Sequence, residues 1–283
     1  MKPSSLTTKI FLDSGDPAET KQALSILGFL DGQTTNPSLI AKNPQTAGKK
    51  FSKQELLDFY KGIVGQVSVL IPQGSVSVEV YADASTKAEE MLVQGREFNK
   101  WIPNAHIKYP TTSEGLKAAE ISVKEGMRVN MTLVFSQEQA AAVYAATKGA
   151  KKGQVFLSPF IGRLDDRGEN GMDLISNIIK MYKAGDGHVE VLTASVRSVE
   201  HQVRAIEVGT DIITSPLRVL KEWKEEISND KFQISNEIKN PNLKPIQYQE
   251  IGLDKPWQEY NLDHELTDKG LERFAADWNG LIG

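Results

Sequence analysis

The sequence predicts an α/β protein, a closed (β/α)8 barrel of the TIM type with an extended polar C-terminal segment and a closing helix. Eight strand-like segments, centred near residues 10, 33, 78, 107, 130, 156, 192 and 212, alternate with helical segments. Eight such parallel units are the number that closes a barrel. An open doubly wound sheet is the alternative. It usually carries a glycine-rich phosphate loop after its first strand, and the chain contains neither GxGxxG nor GxxxxGK followed by Ser or Thr.

The first two strands both end in polar side chains. The segment KIFLD ends on Asp13, and the following DPAET is typical of a helix start, with Asp as N-cap and Pro as the first helical residue. In the segment GQTTN, Thr34 and Asn36 share one face. Pro37 ends this strand because the residue before a proline avoids the helical region. An Asx turn before a helix is the alternative interpretation of Asn-Pro.

The third and fourth strands carry charged side chains in apolar surroundings. SVSVEVY alternates, and in a closed barrel both of its faces are covered, so Glu79 near its C-terminal end is a site candidate. HIKYP holds Lys108 in mid-strand. Burying an ammonium is costly, and burial favours the neutral amine, which is a nucleophile. A solvated lysine on an edge strand is the alternative.

The last four strands follow the same pattern. RVNMTL places Asn130 and Thr132 on one face, and QVFLSPF, which contains Ser158, precedes a predicted GRLDD loop with Arg163. The segment EVLTAS aligns Ser195 with Arg197, and DIITS is the last strand. Helices are predicted between these strands and earlier in the chain, for example over residues 85–98, 171–183 and 199–208.

Composition indicates an ordinary globular protein. Of the 283 residues, 40% are hydrophobic and 25% charged, and the net charge is −4 with no basic block, so nucleic acid is not an expected partner. The absence of cysteine excludes disulfides and thiolate chemistry. No apolar run reaches the roughly 20 residues that span a bilayer, and MKPSSLTTKIFLD has no apolar core of signal-peptide length. We therefore expect a cytoplasmic protein without a membrane partner.

Domain organisation follows from a change in composition near residue 224. We predict one barrel domain over residues 1–283, with a core of about 8–224 and a C-terminal extension of about 225–283. Residues 225–265 are polar and contain three prolines, so we expect an extended excursion over the barrel surface or partial disorder. LTDKGLERFAADW then predicts an amphipathic helix, which either packs against the barrel or covers its mouth.

The candidate site collects the polar side chains at the C-terminal strand ends, which converge on one mouth of a barrel. A lysine amine forms a Schiff base with a carbonyl, and the resulting iminium permits cleavage of the neighbouring carbon–carbon bond. A carboxylate moves the hydroxyl proton, and paired arginines bind a phosphate. The residue types therefore indicate a class I aldol reaction on a sugar phosphate, and the candidates are Asp13, Thr34, Asn36, Glu79, Lys108, Asn130, Thr132, Ser158, Arg163, Ser195 and Arg197.

Two other chemistries find little support. The four histidines, His106, His188, His201 and His264, are scattered and show no metal-ligand spacing, so we expect no metal and no other cofactor. A serine hydrolase of the α/β type would carry a GxSxG elbow, and the sequence has none.

At these residues the chain resembles the transaldolase family. The matching motifs occur in family order over about residues 8–220: TTNPS at 34–38, IKYPTTSEGLKAA around Lys108, VNMTLVFS around Asn130, SPFIGR at 158–163 and SVR at 195–197. The resemblance implies a (β/α)8 barrel with the Schiff-base lysine on strand four. It also implies transfer of a dihydroxyacetone unit between sugar phosphates, with fructose 6-phosphate or sedoheptulose 7-phosphate as donor.

The resemblance also implies roles for the candidates. Lys108 would form the Schiff base, and Asp13 would accept and return the C4 hydroxyl proton. Glu79 and Thr132 would hold a water molecule that moves protons during imine formation. The remaining candidates would bind the substrate: Thr34, Asn36, Asn130 and Ser158 the dihydroxyacetone part, and Arg163, Ser195 and Arg197 the phosphate.

The chain departs from the family pattern at two positions, and other functions stay open. Tyr109 and Val196 stand where an aliphatic residue and Phe are more usual, and the parity of Tyr109 points it away from Lys108. A fructose-6-phosphate aldolase is the nearest alternative, although such relatives carry Tyr where this chain has Phe160 and lack the acid at Glu79. A non-catalytic barrel that binds sugar phosphates is a further alternative. The sequence leaves open whether the protein forms a homo-oligomer.

Overall fold

The structure is a computed structural model that describes residues 2–228 and 242–283. Its centre is a closed barrel of parallel strands in which each strand pairs with the next and the last pairs with the first. The predicted (β/α)8 barrel is therefore confirmed. The strands are β1 Lys9–Asp13, β2 Gly32–Thr34, β3 Ser75–Glu79, β4 Ala105–Pro110, β5 Val129–Val134, β6 Val155–Pro159, β7 Val189–Thr193 and β8 Ile212–Ser215.

Helices follow the strands and surround the barrel. Side-chain N-caps begin many of them, such as Asp16 before α1, Ser52 with Glu55 as a capping box before α3, and Ser136 before α6. The helices are α1 Pro17–Leu27, α2 Pro37–Ala41, α3 Lys53–Leu70, α4 Ala88–Phe98, α5 Ser113–Lys124, α6 Gln137–Ala146, α7 Ile161–Asp165, α8 Gly171–Tyr182, α9 Val199–Glu207, α10 Leu217–Ser228 and α11 Glu265–Asn279.

Two details of the prediction are wrong around β6 and β7. Residues 161–165 form the short helix α7 rather than a loop, because the first N–H groups of this segment bond to Ala194 and Ser195 carbonyls after β7, a contact that the local sequence does not reveal. Strand β7 ends at Thr193, and Ser195 has a left-handed φ of 59°. Ser195 and Arg197 are therefore not aligned by strand alternation.

A third difference concerns the start of α4, which begins at Ala88 and not near residue 85. The side chain of Asp83 accepts hydrogen bonds from Ser85 and Thr86 and forms a separate turn there. These bonds hold the pKa of Asp83 at about 2, below its usual range, with the hydrogen bond from the Ser85 side chain as the main cause.

Both faces of the strands are buried, as expected for a barrel whose outer wall is covered by helices. Tyr109 illustrates the outer layer. Its hydroxyl lies 3.0 Å from Ser122 Oγ on α5, and a Cβ added to Gly95 of α4 would lie only 1.9 Å from this hydroxyl. The prediction that Tyr109 points away from Lys108 is thus confirmed, and Gly95 makes room for its ring.

The described part of the C-terminal extension runs over the outside of α6 and α8. Gln249 and Gln137 exchange two hydrogen bonds of 2.8 and 3.0 Å, and the backbone of Ile246 bonds to Asp173 and Asn177. The surface excursion is therefore confirmed for residues 242–262, whereas the expectation is wrong for residues 225–228, which still belong to α10. Residues 229–241 lie outside the described range. That the whole chain forms a single domain stays a prediction.

Helix α11 lies across the C-terminal mouth of the barrel. Thr267 donates a 2.9 Å hydrogen bond to the carbonyl of Leu133 in β5, and Gly270 passes so close that an added Cβ would lie 2.6 Å from the Leu133 side chain. The closing helix thus covers the mouth as well as packing against the barrel. Among the described residues, no helix is long and apolar enough to cross a membrane.

Candidate active site

A pocket of about 200 Å³ opens at the C-terminal ends of the strands, beneath α11. Because all strands are parallel, their C-terminal ends meet at this mouth. Eight of the eleven candidates line the pocket: Asp13, Thr34, Asn36, Lys108, Ser158, Arg163, Ser195 and Arg197. The other three, Glu79, Asn130 and Thr132, are buried and do not line the pocket.

Lys108 lies at the base of the pocket and is only 2% exposed. Its Nζ donates to Glu79 Oε2 at 2.7 Å and to the Thr35 carbonyl at 3.3 Å. The rings of Phe160 and Phe274 lie on the pocket side, each with its centroid 5.9 Å from Nζ. The amine is thus oriented by two acceptors and lies beside two aromatic rings, which is an environment suited to a nucleophile.

Glu79 pairs with Lys108 through the register of β3 and β4, which sets the two residues opposite each other. Burial raises the pKa of Glu79 above its ordinary value, although the neighbouring Lys108 opposes this rise. A carboxyl with a raised pKa takes up and returns a proton more readily near neutral pH. Glu79 is therefore suited to proton transfer beside the amine.

Asp13 is the second carboxyl group and is partly exposed to the pocket. Its Oδ1 accepts a 2.6 Å hydrogen bond from Thr34, whose hydroxyl lies 2.6 Å from that of Thr214 on β8. Since the Thr34 proton goes to Asp13, Thr214 donates to Thr34. Burial raises the pKa of Asp13, while the bond from Thr34 and the charge of Lys108 lower it.

Neutral side chains form a fixed network on the β5 side. Asn130 is fully buried; its NH2 group donates to Ser77 Oγ at 3.0 Å and its amide oxygen accepts from Ser158 at 2.7 Å.

Asn36, the N-cap of α2, accepts from the Leu39 N–H at 2.9 Å. Asn36 therefore caps a helix, as the Asx interpretation expected, and also lines the pocket.

Thr132 is buried at an irregularity in β5. The register with β6 shifts after Met131, and Leu133 has a left-handed φ of 61°. The Thr132 carbonyl accepts from Thr111, while its hydroxyl has no hydrogen-bond partner among the described residues. A buried hydroxyl without a protein partner is able to hold a water molecule.

Positive charge collects at the mouth of the pocket. Arg163 on α7 lies between Phe160 and Phe274, with its guanidinium carbon 5.6 Å from each ring centroid, and burial lowers its pKa from the usual value. Arg197 pairs with the exposed Asp166. Guanidinium groups suit the recognition of a phosphate, and both arginines line this pocket.

The backbone brings these two arginines together at Gly162. A Cβ added to Gly162 would lie 2.4 Å from the Ser195 carbonyl and 2.5 Å from Arg197 Nε. Only glycine allows this approach between α7 and the segment after β7.

Several pocket residues do not appear among the sequence candidates. Thr214 lies on the last strand and follows the same strand-end rule, so that rule could have found it. Lys42 and Arg273 also line the pocket, but they lie on segments whose position over the mouth depends on the fold. Tyr60 on α3 lies outside the barrel wall, and its hydroxyl accepts from the Glu79 N–H at 2.8 Å. The amphipathic pattern of α3 gives no signal for this contact.

Comparison with known proteins identifies the family of the chain. The family model described as transaldolase/fructose-6-phosphate aldolase matches residues 10–283. Three curated relatives are each named probable transaldolase. The protein from Dehalococcoides mccartyi is 36% identical over 96% of this chain and 99% of its own length. The protein from Herpetosiphon aurantiacus is 35% identical over 95% and 94%, and that from Brucella ovis is 37% identical over 95% and 96%. From this match and the barrel site, the chain belongs to the transaldolase/fructose-6-phosphate aldolase family.

Proposed function

We propose that the protein is a transaldolase that moves a dihydroxyacetone unit from a ketose phosphate to an aldose phosphate through a Schiff base on Lys108. Fructose 6-phosphate and sedoheptulose 7-phosphate are the proposed donors. The observation that carries the proposal is the position of the Lys108 amine, 2.7 Å from Glu79 at the base of a pocket whose mouth is lined by Arg163 and Arg197.

The first step is attack of the neutral amine on the C2 carbonyl of the donor. Glu79 is the nearest base to the Lys108 ammonium, and its raised pKa suits it to accept that proton. The carbinolamine then loses water to give the iminium, which requires a proton at the departing hydroxyl. In our proposal Glu79 and the free hydroxyl of Thr132 hold the water that carries this proton.

The second step breaks the C3–C4 bond. Asp13 removes the proton of the C4 hydroxyl, C4 becomes an aldehyde carbon, and the bonding electrons pass into the iminium to give an enamine on Lys108. The aldose phosphate leaves, and the acceptor aldose phosphate enters. The enamine attacks its aldehyde carbon, Asp13 returns the proton, and hydrolysis of the new iminium releases the product ketose. The raised pKa of Asp13 suits it to both directions of transfer.

Binding of the substrate is proposed for the remaining side chains. Thr34, Asn36, Asn130 and Ser158 present neutral hydrogen-bonding groups near Lys108 for the dihydroxyacetone hydroxyls, with Asn130 acting through Ser158. Arg163, Ser195 and Arg197 lie at the mouth for the phosphate. A donor anchored by its phosphate would extend its carbonyl end toward Lys108.

Cleavage of the aldolase type is the second candidate. It requires that the enamine is protonated and hydrolysed before an acceptor arrives. Phe160 presents an apolar ring to Lys108 and no hydroxyl that could supply this proton, and Glu79 is present, so the residues favour transfer. A barrel that only binds sugar phosphates is the third candidate, and it would have no need of a buried amine–carboxylate pair.

Trapping of the covalent intermediate tests the proposal. The protein is incubated with fructose 6-phosphate and borohydride without an acceptor, and intact mass and peptide maps are recorded. We expect a reduced three-carbon adduct on Lys108 that accumulates, since transfer without an acceptor stalls at the enamine, and slow protonation of the enamine carbon by water gives the iminium that borohydride reduces. Lys108→Ala should give no adduct and no turnover, whereas Lys117→Ala, which changes an exposed lysine of α5, should behave like the unaltered protein.

Each outcome separates the candidates. Release of dihydroxyacetone at a steady rate without acceptor would favour the aldolase. Failure to form an adduct with either donor would refute the Schiff-base proposal, and turnover by Lys108→Ala would refute the role of that residue.

A further inference from the structure

We propose that Tyr60, which lies outside the barrel on α3, is a positioning residue that fixes both hydrogen-bond acceptors of the Lys108 amine. These acceptors are the Glu79 carboxylate on β3 and the Thr35 carbonyl just after β2. The Tyr60 hydroxyl contacts both residues, 2.8 Å from the Glu79 backbone nitrogen and 2.6 Å from Thr35 Oγ1. The inference rests on the proposed function of Lys108 as the nucleophile.

The ladder between β2 and β3 explains why a tyrosine is needed there. Thr34 pairs with Ser77, and the Thr35 N–H donates to the Ser77 carbonyl at 3.2 Å. In a regular parallel ladder the next bond would run from the Glu79 N–H to the Thr35 carbonyl. Here the Glu79 N–H donates to Tyr60 instead, and the Thr35 carbonyl accepts from Lys108 Nζ. The hydroxyl of Tyr60 thus replaces one strand partner and leaves that carbonyl available to the amine.

The proton positions in this cluster follow from its geometry. Thr35 Oγ1 donates its proton to the Ser77 carbonyl at 2.7 Å, so the bond between Thr35 and Tyr60 uses the Tyr60 proton. The Tyr60 oxygen is then the acceptor for the Glu79 N–H. Burial raises the pKa of Tyr60 well above its ordinary value, which keeps the hydroxyl protonated and able to donate.

Packing holds the Tyr60 ring in one orientation. The side chain is fully buried, and three aromatic rings contact its edges or faces, those of Phe98, Trp101 and Trp278, at centroid distances of 6.2, 5.8 and 5.8 Å. Trp278 belongs to α11, the helix that also carries Phe274 against Lys108. The hydroxyl is therefore presented to β2 and β3 from a rigid support.

Loss of the Tyr60 hydroxyl should change the position of the Lys108 amine indirectly, through the two residues that accept its hydrogen bonds. In Tyr60→Phe the buried Glu79 N–H loses its acceptor, and the Thr35 carbonyl is the strand partner that can replace it. A shift of this carbonyl toward Glu79 takes it away from Lys108. Displacement of a reacting group by about 1 Å can cost on the order of 10²-fold in rate.

Tyr109→Phe is the matched control. It also removes one buried tyrosine hydroxyl, which lies 3.0 Å from Ser122 Oγ, and Tyr109 adjoins Lys108 in sequence but faces α4 and α5. For both variants kcat and KM are measured with fructose 6-phosphate and an aldose phosphate acceptor, together with the single-turnover rate of the borohydride-trapped adduct. Circular dichroism and thermal unfolding compare the loss of stability.

We expect Tyr60→Phe to lower kcat and the trapping rate by tenfold or more while KM changes less than about threefold. Tyr109→Phe should keep kcat within about twofold at a similar loss of stability. Equal kcat values for the two variants would overturn the inference. If Tyr60→Phe does not fold, Thr35→Val is measured instead, because it removes the acceptor of the Tyr60 proton. An unchanged kcat in Thr35→Val would also overturn the inference.

The same experiment distinguishes this inference from the proposed function. An adduct on Lys108 in the unaltered protein, combined with equal rates in the two tyrosine variants, refutes only the role of Tyr60. Absence of any adduct in the unaltered protein refutes the Schiff-base proposal and the role of Tyr60 with it.

Discussion

Replacement of Lys108 by methionine should make the stability of the protein depend strongly on pH, because it leaves Glu79 buried without its partner. The side chains of Lys108 and Glu79 are only 3% and 4% exposed, and the atoms Nζ and Oε2 are 2.7 Å apart. At this distance and an effective dielectric constant of about 20, the pair attraction is about 6 kcal/mol. Removing one member of a buried pair typically costs about 3–5 kcal/mol, and we expect a loss in that range at pH 8.

The direction of the pH dependence follows from the pKa of Glu79. Burial already raises this pKa, and Lys108 is the main group that lowers it, so the variant should raise it further. A group whose pKa is raised by folding holds its proton in the folded protein after the unfolded chain has lost it. The stability is therefore greatest below the unfolded pKa of about 4.5 and falls as the pH rises, by about 1.4 kcal/mol per pH unit. Between pH 5 and pH 8 the fall can reach about 4 kcal/mol.

Urea denaturation at pH 5 and pH 8 measures this effect. Lys108→Met combined with Glu79→Gln removes both charges and should recover most of the stability lost at pH 8. Lys117→Met, which breaks an exposed pair with Glu114, should change the free energy of unfolding by less than about 1 kcal/mol at either pH. If Lys108→Met is destabilised equally at both pH values, or if the double variant recovers nothing, the reasoning about the buried pair is wrong.

Three further predictions concern catalysis. Asp13→Asn should lower kcat by about 10²–10⁴-fold, because it removes the base that cleaves the C3–C4 bond. Intact mass should then show a trapped adduct with the six carbons of the intact donor in place of three. A three-carbon adduct formed at the unaltered rate would contradict the role of Asp13 in bond cleavage. Arg163→Ala and Arg197→Ala should each raise KM for fructose 6-phosphate about tenfold or more and leave the kinetics with unphosphorylated fructose nearly unchanged. The control Arg204→Ala, on the exposed side of α9, should change the kinetics with neither substrate. Because burial raises the pKa of both Asp13 and Glu79, the acid limb of kcat/KM should lie above the usual carboxyl range, and a profile that stays flat down to about pH 4 would contradict these shifts.

The sequence by itself determined the fold class and most of the pocket. Strand alternation and helix caps are local properties, so segments such as KIFLD and SVSVEVY can be recognised from neighbouring residues alone. Parallel strands bring their C-terminal ends to one mouth, and this rule was sufficient to bring Asp13, Lys108 and Ser158 to the pocket. The motifs that resemble the transaldolase family contain Lys108 and Ser158 and occur along the chain in the order that the family has.

The tertiary structure alone decided how these residues contact one another. The register of β3 and β4 sets Glu79 opposite Lys108, and it depends on hydrogen bonding between strands and not on either segment. Phe274 reaches Lys108 only because α11 crosses the mouth, far along the chain from β4. Tyr60 reaches the Glu79 N–H because the ladder between β2 and β3 ends after the bond from the Thr35 N–H to the Ser77 carbonyl. Contacts between distant segments depend on barrel closure, which local patterns do not specify.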